Sequence, residues 1–289
     1  MKIIRKINNL IKLTIHKIRY DFSTYEKLRM LAMIILAIGA GLIWPEKDSN
    51  GWSGTLLNVM CIFITIVGLF CELLFSKQRR SAFLIYNSVE VVTVAYYLMT
   101  KTQYLSMFAA LIYWIPAHTL GYFAWNKHKD RKDKEITVIR RLKKWQTAVI
   151  LISTVAITIA GGYLLGKYGP ETDYYEDNIL EKIILYYNPS LVADVKEIVY
   201  TVFAYLDSSL FVMSIIDGIL MFFRSRDSWW TWHIYTAVDT VVRILSGQWV
   251  LLVYDIGYFT NTTYGNIKWT QYIKKNEALE APETSGTKM

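Results

Sequence analysis

Residues 227–269 read DSWWTWHIYTAVDTVVRILSGQWVLLVYDIGYFTNTTYGNIKW. The stretch is apolar enough to cross a bilayer twice, and the pair Gly247-Gln248 is its only break. It nevertheless carries Asp239, Arg243 and Asp255 at depths where hydrocarbon tolerates no idle charge. Ionisable residues inside a membrane segment are expensive and face a protein interior or a water-filled path, so the stretch predicts a polar pocket between helices. At helical spacing Trp229, Trp232, Thr236, Asp239 and Arg243 recur at intervals of 3, 4, 3 and 4 and share one face. Two indoles, a hydroxyl and a carboxylate on one face suit a flat, hydroxylated small molecule, with a bonus if its ring is cationic.

The rest of the chain supports a membrane setting. Of its 289 residues 53% are hydrophobic and 15% aromatic, and the mean hydropathy is +0.24. This excludes a disordered chain or an ordinary soluble domain and predicts an all-α polytopic membrane protein. The net charge of +8 does not point to nucleic acid, because the Lys and Arg residues lie in short segments between apolar runs. Eight such runs occur, at 29–44, 55–75, 82–100, 103–125, 146–167, 198–223, 229–246 and 249–269. Several are close to the ~20 residues of a spanning helix. The intervening segments alternate in charge. Segment 1–29 has eight Lys/Arg against two acids, 126–145 has nine Lys/Arg, and 168–197 has seven acids against two lysines. Basic segments stay in the cytoplasm, so both termini are expected there.

Residues 1–29 predict an amphipathic helix on the anionic cytoplasmic leaflet. DNILEKIILYYNP, 177–189, predicts a short outer interfacial helix ending before Pro189. The tail 276–289 is polar and predicted disordered. Cys61 and Cys71 share one apolar run and read as packing residues.

The chain also repeats itself. Residues 72–125 lie over 217–269 with one single-residue gap, bringing Glu72 onto Asp217 and Gln103-Tyr104 onto Gln248-Trp249. Gly121-x-x-x-Trp125 then meets Gly265-x-x-x-Trp269. Each unit has three helices, and the odd helix 146–167 between them gives both the same orientation, a parallel repeat. The expected division is an arm at 1–29, an extra helix at 30–54 and a first triple-helix bundle at 55–125. A basic loop, linker helix and acidic outer loop fill 126–197. A second bundle at 198–269 and a disordered tail at 270–289 follow. Carriers built this way hold substrate near the midplane between the repeats.

With these motifs in view, the sequence resembles the nicotinamide riboside transporter (PnuC) family of bacterial vitamin transporters. The resemblance rests on YLDSSLFVMSIIDGILM at 205–221, DSWWTW at 227–232, Ser246-Gly247, and Asn261-Thr-Thr-Tyr264-Gly265-x-x-x-Trp269. In the first unit it rests on IYWIPAHTLGYFAWNKH at 112–128, and it covers about 55–269. It implies eight transmembrane helices, with two triple-helix bundles joined by a linker helix (a SWEET-like 3+1+3 plan) and an extra N-terminal helix. It also implies a homotrimer in the cytoplasmic membrane that performs facilitated diffusion, the vitamin being trapped by intracellular phosphorylation. His118 stands where the family has Gln or Asn, and Thr236 where it has Asn. Asp217 and Asp239 replace residues usually apolar or small. These departures bear on which vitamin is carried; thiamine, riboflavin and deoxynucleosides are the cargoes of relatives.

The substrate-binding candidates are Trp232, Thr236, Asp239, His118, Asn261, Tyr264, Asp207 and Asn87, and the gate candidates Trp229, Gln248, Trp249 and Gln103. Each has a plainer reading. Asp239 and Arg243 are four apart and can neutralise one another, His118 can bond between helices, and the tryptophans can sit in an interfacial belt. Glu72 and Asp217 are expected to pair with the arginines of the adjacent loops. Acids outnumber Arg243 at membrane depth, which favours a cationic cargo. Four scattered histidines and no metal-protease motif argue against an enzyme. No cofactor or metal is expected. A non-transporting membrane scaffold is the remaining rival.

Overall fold

The computed structural model describes residues 22–101, 103–130, 133, 136–169, 179–192 and 194–280. The expected amphipathic arm lies outside them as far as residue 21, as does the tail beyond 280. Among the described residues the regular structure is helical.

Helix α1 (Thr24–Ile43) opens with a capping box, in which the Ser23 hydroxyl accepts from Glu26 N and the Glu26 carboxylate from Ser23 N. Then come α2 (Gly54–Ser76) and α3 (Ser81–Thr100). A single rod follows, made of α4 (Tyr104–Phe108), a π-helical segment (Ala109–Trp114) and α5 (Ile115–Lys127). The π register has a local cause. Pro116 has no N–H to return to the preceding turn, and Ile115 N donates to Ala110 O, five residues back. Beyond it lie α6 (Lys144–Tyr168), α7 (Ile179–Tyr187), a 3-10 turn (Pro189–Val192), α8 (Val195–Phe222), α9 (Ser228–Ser246) and α10 (Trp249–Glu280).

Each of the eight apolar runs falls within one of these rods, overrunning it by no more than one residue at either end. Among the described residues four helices, α2, α3, α6 and α8, are long and apolar enough by length and composition to cross a membrane. α9 carries Asp239 and Arg243, and α10 runs on into polar sequence. The polarity of 276–289 predicts disorder, yet α10 continues to Glu280. Ala278, Leu279 and the flanking glutamates are strong helix formers, and extending an existing helix needs no new nucleus.

The principal packing closes a ring of six rods. α2 packs on α3, α3 on α5, α5 on α8, α8 on α9, α9 on α10, and α10 on α2. α1 lies against α2 and α10, α6 runs along α8, and α7 rests on α8 and α9. α6 leaves Val149, Leu151, Ile152, Val155, Ile157 and Ile159 exposed, a face suited to lipid rather than water.

The repeated motifs make equivalent contacts. Trp125 Nε1 donates to Met221 O (3.0 Å) at the end of α8, and Trp269 Nε1 to Phe75 O (3.2 Å) at the end of α2. The glycines four residues earlier admit a ring at van der Waals distance. A Cβ on Gly121 would lie 2.7 Å from the Phe83 ring, and one on Gly265 2.5 Å from the Trp229 ring. Both middle helices end on a left-handed residue, Lys101 (φ 53°) for α3 and Gly247 (φ 72°) for α9.

The basic loop after α5 is bound down at the same end. Arg140 N donates to Arg224 O (3.1 Å), Arg226 N to Arg140 O (2.9 Å), and Leu142 N to the Asp227 carboxylate (2.7 Å). This end, with Lys77, Arg79, Arg140, Arg224 and Arg226, is the basic-loop end; the other is the far end.

Candidate functional site

The six rods enclose a cavity of about 110 Å³ lined from all of them. Its girdle is aromatic. Tyr86 (α3) lies 4.9 Å from the His118 ring (α5), which lies 5.0 Å from Trp114 (π segment). Trp114 stacks on Trp232 of α9 (5.9 Å, 24°), Trp232 meets Tyr258 of α10 edge-on at 5.3 Å, and Tyr258 lies 5.1 Å from Tyr254. The Tyr254 and Tyr86 hydroxyls close the circle at 2.7 Å. All six rings line the cavity. Their spacing explains the collar. Tyr86, Glu90, Thr93 and Tyr97 recur on one face of α3, as do Leu251, Tyr254 and Tyr258 on α10.

Charge is placed at defined heights on the wall. Glu72 lies near the basic-loop end, Glu90 midway along α3, and Arg243 near the far end. Arg243 is held by Asp239 (2.5 Å) and Asp255 (3.1 Å), so two acids surround one guanidinium. The aromatic girdle with Glu90 at mid-height leaves a surface matched to a flat cationic ring: π faces attract cations, and a carboxylate adds to that field.

Of the sequence candidates, Trp232 and His118 line this cavity. Thr236 is buried beside them, its hydroxyl returned to Trp232 O (2.8 Å). Asp239 contributes through its pair with Arg243. The others lie elsewhere. Asn261 accepts from Arg29 and donates to Leu69 O (3.1 Å), while the Tyr264 hydroxyl donates to Glu26 (2.8 Å), which also accepts from Lys77 (3.1 Å). Both therefore serve a polar seam fastening α1 to α2 and α10. Asn87 donates to the Thr119 hydroxyl (3.2 Å), and Asp207 accepts from Leu105 N (3.3 Å), capping α4 from a neighbouring rod. Trp229 is fully buried, wedged against Gly265 and 5.2 Å from Trp269. Gln103 and Gln248 accept from Met107 N and Leu252 N at the start of their helices, and Trp249 lies 6.0 Å from Trp44.

Glu72 and Asp217 do not pair with the loop arginines. Both are buried, and neither makes an ion pair among the described residues, because each lies a turn inside its helix on the face turned from the loop. Tyr86, Trp114, Tyr254 and Tyr258 are not among the candidates, and Glu90 enters the sequence reading only as one of the acids at membrane depth. Their helical spacing was the available signal, but lipid-facing aromatics give the same pattern.

The α1 seam gives a prediction. Tyr264→Phe removes one hydrogen bond to a carboxylate and is expected to lower stability by about 1.5–3 kcal/mol. Ligand affinity should stay within about twofold, since the seam is off the cavity. Thermal melting and calorimetric titration of one preparation read both; a large affinity loss at unchanged stability would return Tyr264 to the binding site.

A family model described as nicotinamide mononucleotide transporter matches residues 58–271. Among curated proteins, the nicotinamide riboside transporter PnuC of Neisseria mucosa is 22% identical over 230 residues, 73% of this chain and 72% of its own. The nicotinamide riboside transporter PnuC of Haemophilus influenzae is 22% identical over 214 residues, 73% of this chain and 78% of its own. A crystal structure of the vitamin B3 transporter PnuC matches at a TM-score of 0.61 and 17% identity, covering 88% of this chain and 94% of that one. The likeness extends to the fold.

Proposed function

This chain belongs to the nicotinamide mononucleotide transporter family, and from that premise we propose that it carries nicotinamide riboside across the bacterial cytoplasmic membrane through the six-rod cavity. The observation that carries the reading is the closed aromatic girdle with Glu72 and Glu90 on its wall. Nicotinamide riboside presents a flat ring with a fixed positive charge, which six aromatic side chains and the mid-wall carboxylate of Glu90 receive. In this reading all eight rods span the bilayer in a 3+1+3 plan with α1 as the extra helix, and the basic-loop end faces the cytoplasm. The protein works as a homotrimeric uniporter, and phosphorylation inside the cell retains the cargo.

Thiamine is the second reading, because its thiazolium is also a flat permanent cation. The test is calorimetric titration of the purified protein with nicotinamide riboside, thiamine, riboflavin and deoxynucleosides, followed by uptake into proteoliposomes. Saturable uptake of nicotinamide riboside that equilibrates, and that ion gradients leave unchanged, is the expected result. Tighter binding of thiamine reassigns the cargo. Absence of saturable uptake for all four would leave a scaffold.

A further inference from the structure

The cavity has unlike poles. At the basic-loop end Glu72 is 1% exposed and lines the wall with the Tyr258 hydroxyl as its polar neighbour, and its Oε2 has no hydrogen-bond partner in good geometry among the described residues. Asp217, aligned with it in the sequence, is buried at the same end, and both its oxygens are without hydrogen-bond partners among the described residues. At the far end Arg243 keeps Nη1 unpartnered while Asp239 and Asp255 hold the rest of the guanidinium. Buried polar atoms without partners are rare in native folds, and on the wall of a binding cavity they mark where a ligand supplies the missing half. The two poles ask for opposite things: a carboxylate only accepts, and a guanidinium only donates.

A ligand that satisfies both has hydroxyl donors at one end, an acceptor at the other and a flat ring between. The order of groups in nicotinamide riboside is ribose, pyridinium, carboxamide. We propose that Glu72 receives the ribose hydroxyls, so that the sugar points to the basic-loop end and Glu72 makes the carrier select ribosides over bare cationic rings. A carboxylate offers two oxygens to a vicinal diol, the contact by which an acidic residue reads ribose in dinucleotide-binding folds. Glu90, midway along α3, is left to the charge of the ring. The assignment rests on nicotinamide riboside being the cargo.

The experiment titrates purified full-length protein with nicotinamide riboside, nicotinamide 2′-deoxyriboside and 1-methylnicotinamide, which keeps the charged ring and carboxamide but has no sugar. Wild type is expected to prefer the riboside to the deoxyriboside by about tenfold or more, since a site built around a hydroxyl rejects the analogue lacking it. Glu72→Gln should lose about tenfold or more for the riboside and change 1-methylnicotinamide by less than about twofold. Glu90→Gln should weaken both. Equal losses for both ligands in Glu72→Gln would overturn the proposal, because Glu72 would then be reading ring charge. If that variant does not fold, the wild-type comparison decides: equal affinity for riboside and deoxyriboside overturns the diol contact and leaves the cargo standing. Failure of wild type to bind any of the three overturns the cargo as well.

Discussion

Truncation of Trp232 to alanine is expected to weaken binding of nicotinamide riboside by roughly 30- to 100-fold. Stacking of a heteroaromatic ring on an indole is worth about 1–3 kcal/mol, and a desolvated cation–π contact about 2 kcal/mol. The two overlap for a pyridinium, so a joint loss of about 2–3 kcal/mol is the reasonable sum, at about 1.4 kcal/mol per tenfold change. The geometry supports the upper part of that range. Trp232 is 8% exposed, lines the cavity and lies nearly parallel to Trp114, so its face is dry and its orientation fixed. Trp232→Phe keeps a π face and should recover most of the affinity. Trp229→Ala should act differently, lowering stability by about 3–5 kcal/mol by opening a hole beside Gly265 and Trp269. Calorimetry on the three variants, alongside their melting curves, separates these outcomes. An affinity change below about threefold in Trp232→Ala would remove Trp232 from the site.

The second large effect concerns Arg243. Replacing it with methionine leaves Asp239 and Asp255, each 2% exposed, without a counter-ion. Breaking a buried ion pair from one side costs about 3–5 kcal/mol, whereas replacing all partners with apolar residues is often neutral. Arg243→Met is therefore expected to melt at a markedly lower temperature, and the triple change Asp239→Leu, Arg243→Met, Asp255→Leu to regain most of the loss. A triple variant as unstable as the single one would mean that the cluster acts through hydrogen bonds beyond these two pairs.

The face of α9 was legible because charge in an apolar run has few explanations. Intervals of three and four from Trp229 to Arg243 named the inward side before any contact was known, and all five residues are buried. The girdle was not legible. Tyr86 and Tyr254 stand 168 positions apart, and nothing local distinguishes a tyrosine facing a cavity from one in an interfacial belt. Asn261 and Tyr264 were read toward the ligand because they share the α10 motif with Gly265 and Trp269. Their partners, Arg29 and Glu26, come from α1, whose docking site the sequence does not specify. Glu72 and Asp217 were read toward the neighbouring arginines because proximity in sequence suggests pairing. Helix rotation turns them to the other side.

The reciprocal tryptophan bonds carry a consequence for how the chain can be divided. Trp125 donates to a carbonyl of α8, and Trp269 to one of α2. Neither 72–125 nor 217–269 holds the acceptor for its own closing indole. A fragment severed at the linker keeps both a stranded donor and a stranded carbonyl, while two fragments made together offer each other the missing ends. The two indole bonds run in opposite directions across the ring of helices, so each half is expected to depend on the other for its closing contact.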